Sequence, residues 1–390
     1  MYDFEKTIDR AALDALKAVP FNPSQEGCIP LWVADMDFPA APAIQEALVA
    51  RMSKPSYGYT LCRERYYSAV IDWMKRRHQW DVAKEWFVLT PGVVPAMAFA
   101  VRALTAPGDK VMIQTPVYPQ FAKMVQSNGA TLVTNPLKLV DGRFEIDFED
   151  FEQKVKDPAL KLFFLCNPHN PVGRVWKRDE LQKLAELCLE HDVIIFSDDI
   201  HHDFTYGDHQ YIPIATLSPD VAARTITATS PSKTFSIASF KMGNIFIEEE
   251  GLREKYQKAV ESAGVAELDL GAIEATIAGY TKGEAWFGEA LKYIEGNSQY
   301  IEQFIAERIP QVKTFAQEGT YLKWLDWRSF GMTDKELNAW ALNEAKVWLS
   351  EGLAFGKEGS GFMRLNMTSR RAVIEEAMER LARAAERLLV

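Results

Sequence analysis

Short, almost continuous apolar runs punctuate the middle of the chain: "KVMIQTP" (110–116), "KLFFLCN" (161–167), "VIIFSDD" (193–199), "TITATS" (225–230) and "NIFIEE" (244–249). Runs of this kind suit strands buried on both faces, as in a parallel sheet; a half-exposed strand would alternate. Stretches of helical period lie between them. Over 179–190, Leu181, Leu184, Ala185 and Cys188 recur at i, i+3, i+4 and i+7, one apolar stripe on a helix. Alternating strands and helices predict a doubly wound, mostly parallel-sheet α/β domain over about residues 45–290.

The last hundred residues change pattern. Thr333 and Glu336 form a capping box, and Leu337, Trp340, Ala341 and Trp348 mark one face of the helix that follows. Ile374, Met378, Leu381 and Leu388 mark a final amphipathic helix, and "FMRLNM" (362–367) between them reads as a strand. Residues 291–390 are therefore expected to form a smaller α+β domain. The proline-rich residues 1–44 lack a period and are expected to pack beside it.

Composition narrows the function. The 390 residues carry a net charge of -10, which argues against a nucleic-acid partner, since phosphates need a basic face. No apolar stretch approaches the ~18 residues of a membrane span. The start "MYDFEKTIDR" has no apolar core of a secretory signal. Cys28, Cys62, Cys166 and Cys188 are scattered without metal spacing, which fits a reduced cytoplasm. No GxGxxG follows an early strand, which sets a nicotinamide dehydrogenase aside.

Sites in doubly wound sheets lie at the carboxyl ends of the strands, so the polar residues just after each apolar run are the candidates. After "WFVLT", Gly92 and Val93 open a helix, whose free amides make an anion site. After 110–116 comes Tyr118, able to stack on a planar ligand. "NPHNPVGRVW" enforces a non-helical turn and leaves Asn170 at a strand end. "SDDIHHDF" puts Asp198 at the end of a buried strand, where a carboxylate needs a cation. His201, His202 and Asp203 follow. Neighbours on a strand point to opposite faces, so they are not expected to share a metal ion, and no metal is expected. Finally, "SPSKTF" sets Lys233 among hydroxyls where two buried strands meet. An interior lysine is costly unless it is paired, neutralised or covalently used.

Taken in order, "YGYT", "TPGVVPA", "PVYPQF", "NPHNPVGRVW", "SDDIHHDF", "SPSKTF" and "RLN" resemble the fold-type-I pyridoxal-phosphate enzymes of the aspartate aminotransferase superfamily, over nearly the whole chain. "LWVADMDFPA", "NPHNPVGRVW" and His201 are most similar to its bacterial C–S lyase branch, the cystathionine β-lyase-like enzymes. The resemblance implies a PLP-dependent transferase fold and pyridoxal 5'-phosphate as cofactor. It implies Lys233 as the Schiff-base lysine, Asp198 on the pyridine nitrogen and Tyr118 on the ring face. Asn170 and His201 fall at the ring oxygen, and Arg364 at the substrate carboxylate. The phosphate falls to Gly92, Val93, Ser230, Ser232 and Lys241, with Tyr59 reaching in from the other subunit of a homodimer that shares its sites. Lys241 stands where aminotransferases usually have arginine, which favours the lyase; lysine neutralises phosphate but cannot fork. The implied reaction is β-elimination from a small sulfur-bearing L-amino acid to thiol, pyruvate and ammonia, with an aminotransferase as the alternative. Trp32 to Phe38 are expected to contribute substrate contacts. A non-catalytic binding protein on the same scaffold would be marked by loss of Lys233 or Asp198, and both are present.

Overall fold

A computed structural model describes residues 2–265 and 267–388. Its centre is a seven-stranded sheet in the order Phe87–Thr90, Gly243–Phe246, Thr225–Thr229, Ile194–Asp198, Leu160–Cys166, Lys110–Ile113, Thr131–Thr134. Only Gly243–Phe246 runs antiparallel to its neighbours; the rest is parallel. The apolar runs are strands for the reason their sequence suggests. In Leu160–Cys166 every residue but Lys161 is buried, because helices cover both faces. One face packs on a cluster that includes Ala96, Val101, Phe121 and Tyr256. The other packs on Phe151, Trp176, Leu181 and Leu184. The stripe read over 179–190 becomes the Arg178–Glu190 helix and buries Leu181, Leu184, Ala185 and Cys188.

A second, antiparallel sheet of Lys313–Thr314, Leu322–Asp326, Phe362–Asn366 and Ser350–Glu351 forms the smaller unit. The N-terminal segment joins it: Ile29–Pro30 pairs in parallel with Val347–Trp348, and the Leu31 amide donates to Trp348 O at 2.9 Å. The chain then passes over the central sheet. The Asn366 side-chain amide donates to Val33 O and Asp35 O at 2.7 and 2.8 Å. Lys17, fully buried, donates to Asp37 Oδ2 at 2.7 Å and Asp35 O at 3.0 Å, fastening the strap from within.

Three expectations are corrected. The helix announced by the Thr333–Glu336 box ends at Asn343, and Trp348 lies in the Val347–Trp348 strand instead of on its apolar face. A left-handed turn at Lys346, φ +53°, separates the two. The last helix is Arg371–Glu386, so Leu388 falls past its end and is 45% exposed. The helices Pro42–Met52 and Glu284–Arg308 span residues 44/45 and 290/291, so the larger and smaller units share them. Finally, Ile200–Asp203 form a turn, not a strand, so adjacent side chains there are not bound to opposite faces.

Candidate active site

Strand ends build the site. Asp198 closes Ile194–Asp198, in register with Cys166 at the end of the neighbouring strand. It is buried, and its carboxylate accepts from the Ile200 amide at 3.1 Å. Burial without a strong cation pushes it up to about 7, against smaller pulls from that hydrogen bond and from Lys233.

Gly92 follows Phe87–Thr90 and N-caps the Val93–Leu104 helix with φ +111°, a conformation that favours glycine, and no side chain caps that helix. Half-buried Tyr118 is tied to the neighbouring loop, its amide donating to Asn170 O at 3.1 Å. Burial raises its phenol, Arg364 opposes that and Asp198 adds to it, so both charges reach the ring.

Arg364 comes from the centre of the small sheet, on Phe362–Asn366. Nη1 donates to Asn170 Oδ1 at 3.0 Å; Nη2 donates to Trp32 O at 2.9 Å and Ser350 Oγ at 3.2 Å. The guanidinium lies 4.9 Å over the Phe355 ring. Burial lowers it to about 10, so it remains a cation at neutral pH. Asn170 and Arg364 are thus joined by a direct bond that spans the two sheets.

Lys233 sits on the single helical turn Pro231–Thr234, and its Nζ donates to Ala34 O at 2.6 Å. Burial lowers it to about 8; Asp35 and Asp198 pull it up and Arg364 pushes it down. Ala34 O also accepts from the Tyr321 hydroxyl at 3.1 Å. Tyr321 packs edge-on to His201 with ring centres 5.3 Å apart. His201 is buried with Nδ1 unpartnered, and burial, then Lys233 and Arg364, hold the ring neutral.

Not every expected residue joins this group. Ser230 Oγ is spent locally: it donates to Met242 O at 2.7 Å and accepts from the Ser232 amide at 3.1 Å. Ser232 is buried beside it. Lys241 is exposed in a left-handed turn, and among the described residues its side chain has no hydrogen bond or ion pair. Tyr59 is 100% exposed.

Sequence reasoning anticipated that Trp32 to Phe38 reach the site, but not through which atoms. They act through main-chain carbonyls, Trp32 O on Arg364 and Ala34 O on Lys233, and through the Asp35 carboxylate, which accepts from Ser236 Oγ at 2.9 Å. Tyr321 was missed outright, because nothing marks it in a strand-rich segment.

These residues fit pyridoxal 5'-phosphate. Asp198 is a buried carboxylate short of a cation, which a protonated ring nitrogen supplies. Arg364 Nε and His201 Nδ1 are buried polar atoms without partners. Lys233 is an amine with lowered proton affinity at the centre. The uncapped amides behind Gly92 suit an anion.

Comparison with known proteins agrees. The family model described as aminotransferase class I and II matches residues 27–381. The chain is 43% identical over 356 residues to cystathionine beta-lyase PatB of Bacillus subtilis, covering 91% of this chain and 92% of that one. Cystalysin of Treponema denticola, solved with pyridoxal 5'-phosphate, superposes with a TM-score of 0.95 at 36% identity, covering 100% of both chains. The PLP-bound C-S lyase of Staphylococcus hominis, complexed with the inhibitor L-cycloserine, gives a TM-score of 0.92 at 31% identity, covering 98% of both.

Proposed function

Starting from a chain that belongs to the aminotransferase class I and II family, we propose that it is a pyridoxal 5'-phosphate-dependent carbon–sulfur β-lyase, cystathionine β-lyase-like, which cleaves sulfur-containing L-amino acids to thiol, pyruvate and ammonia. The observation that carries this reading is its 43% identity to a cystathionine β-lyase across 91% of the chain. Lys233, Asp198 and Arg364, a lysine, a carboxylate and an arginine of the kinds this chemistry needs, support it.

Each side chain has a task that follows from its position. Arg364, a cation fixed by Asn170, Trp32 O and Ser350, holds the substrate α-carboxylate. Asp198 would be held ionised by a cation facing it and would hold a proton on the ring nitrogen. Tyr118 would cover the ring face, and Asn170 and His201 would meet the ring oxygen. The Gly92 and Val93 amides would hold the phosphate, with the Ser232 hydroxyl and Lys241 as further candidates, while Ser230, whose hydroxyl is given to Met242 O, would brace the turn beside it. When bound, the cofactor supplies an electron sink for the pair left on the substrate α-carbon. Lys233, with a proton affinity near neutral, takes the α-proton and can return it to the departing sulfur as the Cβ–S bond breaks.

The protein works as a homodimer with shared sites. Tyr57, Tyr59 and Leu61 are 63%, 100% and 67% exposed, and Leu13, Leu16 and Val49 are also exposed, an apolar surface that a second copy covers. Tyr59 then reaches the partner's phosphate site. Among the described residues no helix is long and apolar enough to cross a membrane. The four free cysteines are what a reducing, cytoplasmic setting would leave.

The test is L-cystathionine without any keto acid. Pyruvate and thiol should accumulate over many turnovers. Turnover only after a keto acid is added would make the protein an aminotransferase instead.

A further inference from the structure

The cluster His78, His202 and Asp203 is left over from the reaction machinery. Its ligating atoms lie within 4.8 Å of one another, as in a metal site. The surroundings suit an anion hub better. Arg77 Nε already lies 3.5 Å from Asp203 Oδ1, so a metal ion would face a guanidinium across one carboxylate. The carboxylate is also well supplied with donors. His78 Nε2 is 2.8 Å from Oδ1, Trp73 Nε1 donates at 3.1 and 3.3 Å, and Thr234 Oγ1 donates to Oδ2 at 2.5 Å. His202 donates from Nδ1 to Asp199 O at 2.7 Å, and its Nε2 stands 3.4 Å from Oδ2. Burial works to raise Asp203, but His202, His78 and Arg77 outweigh it and hold the carboxylate well below its ordinary range.

The donor that matters is Thr234, next to Lys233. Lys233 rides on a four-residue helix, too short to hold its own shape. Its N-terminus is pinned by Ser230, whose hydroxyl accepts from the Ser232 amide. Its C-terminus is pinned by Asp203, which sits on the turn after Asp198 and His201. One buried carboxylate therefore joins the stretch carrying the reacting amine to the stretch carrying the ring-nitrogen partner. The charges acting on Lys233 are those of Asp35, Arg364 and Asp198, so Asp203 works through the backbone and not through its field.

We propose that Asp203 is a positioning residue for Lys233: through Thr234 Oγ1 it fixes the lysine-bearing turn relative to the Asp198 strand end. The proposal rests on Lys233 being the reacting amine, not on which substrate is cleaved.

Thr234→Val removes the hydroxyl at nearly constant shape, and Thr234→Ser keeps it. The first readout needs no substrate: apoprotein is mixed with pyridoxal 5'-phosphate and the rise of the visible absorbance of lysine-bound cofactor is timed. The second is kcat and KM on L-cystathionine, and the third the melting temperature of the apoprotein. A misplaced amine should slow capture and lower kcat in Thr234→Val about tenfold or more, with KM within about twofold. Thr234→Ser should restore both rates, and Asp203→Asn, if it folds, should resemble Thr234→Val. A folded Thr234→Val that captures cofactor within twofold of the parent rate would overturn the proposal. So would a Thr234→Ser as slow as the valine variant. Slowed capture in a protein that leaves cystathionine intact would uphold the positioning role and defeat the lyase reading.

Discussion

Asp198 and Lys233 are driven toward neutrality from opposite directions, to about 7 and about 8, both chiefly by burial. This makes the cofactor-free protein pH-sensitive in a definite sense. The folded-state affinity of Asp198 exceeds its ordinary 3.8, so its contribution is fully present below that value and is lost as pH climbs through about 7. Apoprotein carrying Asp198→Asn should therefore melt above parent apoprotein at pH 8, with the gap closing toward pH 4. Scanning fluorimetry across that range checks the sign. With cofactor bound the order should reverse in activity: the amide cannot hold a proton on the ring nitrogen, and kcat should fall by at least about a hundredfold with the cofactor retained. The site was legible at this scale where function uses a distinctive side chain. Asp198, Asn170, Arg364 and Lys233 stand out at strand ends or in a hydroxyl-rich turn. The partners of Lys233 and Arg364 in the strap were not legible as such, because Ala34 and Trp32 serve through carbonyl oxygens that every residue has.

At the scale of elements, function depends on where strands stop. All five apolar runs ended as strands one to three residues earlier than their composition suggested, as Ile194–Asp198 and Gly243–Phe246 do. Polar residues at a carboxyl end prolong the pattern in sequence while the chain turns into the site. Trp348 was misplaced for a related reason. It follows a helix at helical spacing, yet the left-handed residue Lys346 intervenes, and no periodicity predicts that turn. Gly92 is the element-scale position most open to test. A Cβ there would meet only Pro95 Cδ at 3.8 Å, so space is not the obstacle; φ +111° is. Gly92→Ala should cost about 1–3 kcal/mol of stability from backbone strain. It should also weaken cofactor binding by tilting the Val93–Leu104 amides. Denaturant titration of apoprotein and a cofactor titration measure the two effects separately.

For the whole molecule, the exposed segment around Tyr59 sets the expectation. The proposed homodimer would cover Tyr57, Tyr59 and Leu61, which stand exposed in the single chain. Mixing inactive Tyr59→Phe or Tyr59→Ala chains with inactive Lys233→Ala chains should regenerate part of the activity, since hybrid dimers hold one intact site. Sedimentation of a fully active monomer would contradict it. The fold class was plain in the sequence because periodicity is local, whereas the path of the first forty residues is set by pairing with residues more than three hundred positions away.

That pairing has a consequence for recombination. Ile29 lies against Val347, Asn366 holds the carbonyls of Val33 and Asp35, and Trp32 O accepts from Arg364. Residues 29–35 and 347–366 thus form one block. Chimaeras with relatives made by a single crossover will mix parents within it and should yield mostly inactive protein. Double crossovers that exchange only the middle of the chain keep the block in one lineage and should yield active libraries.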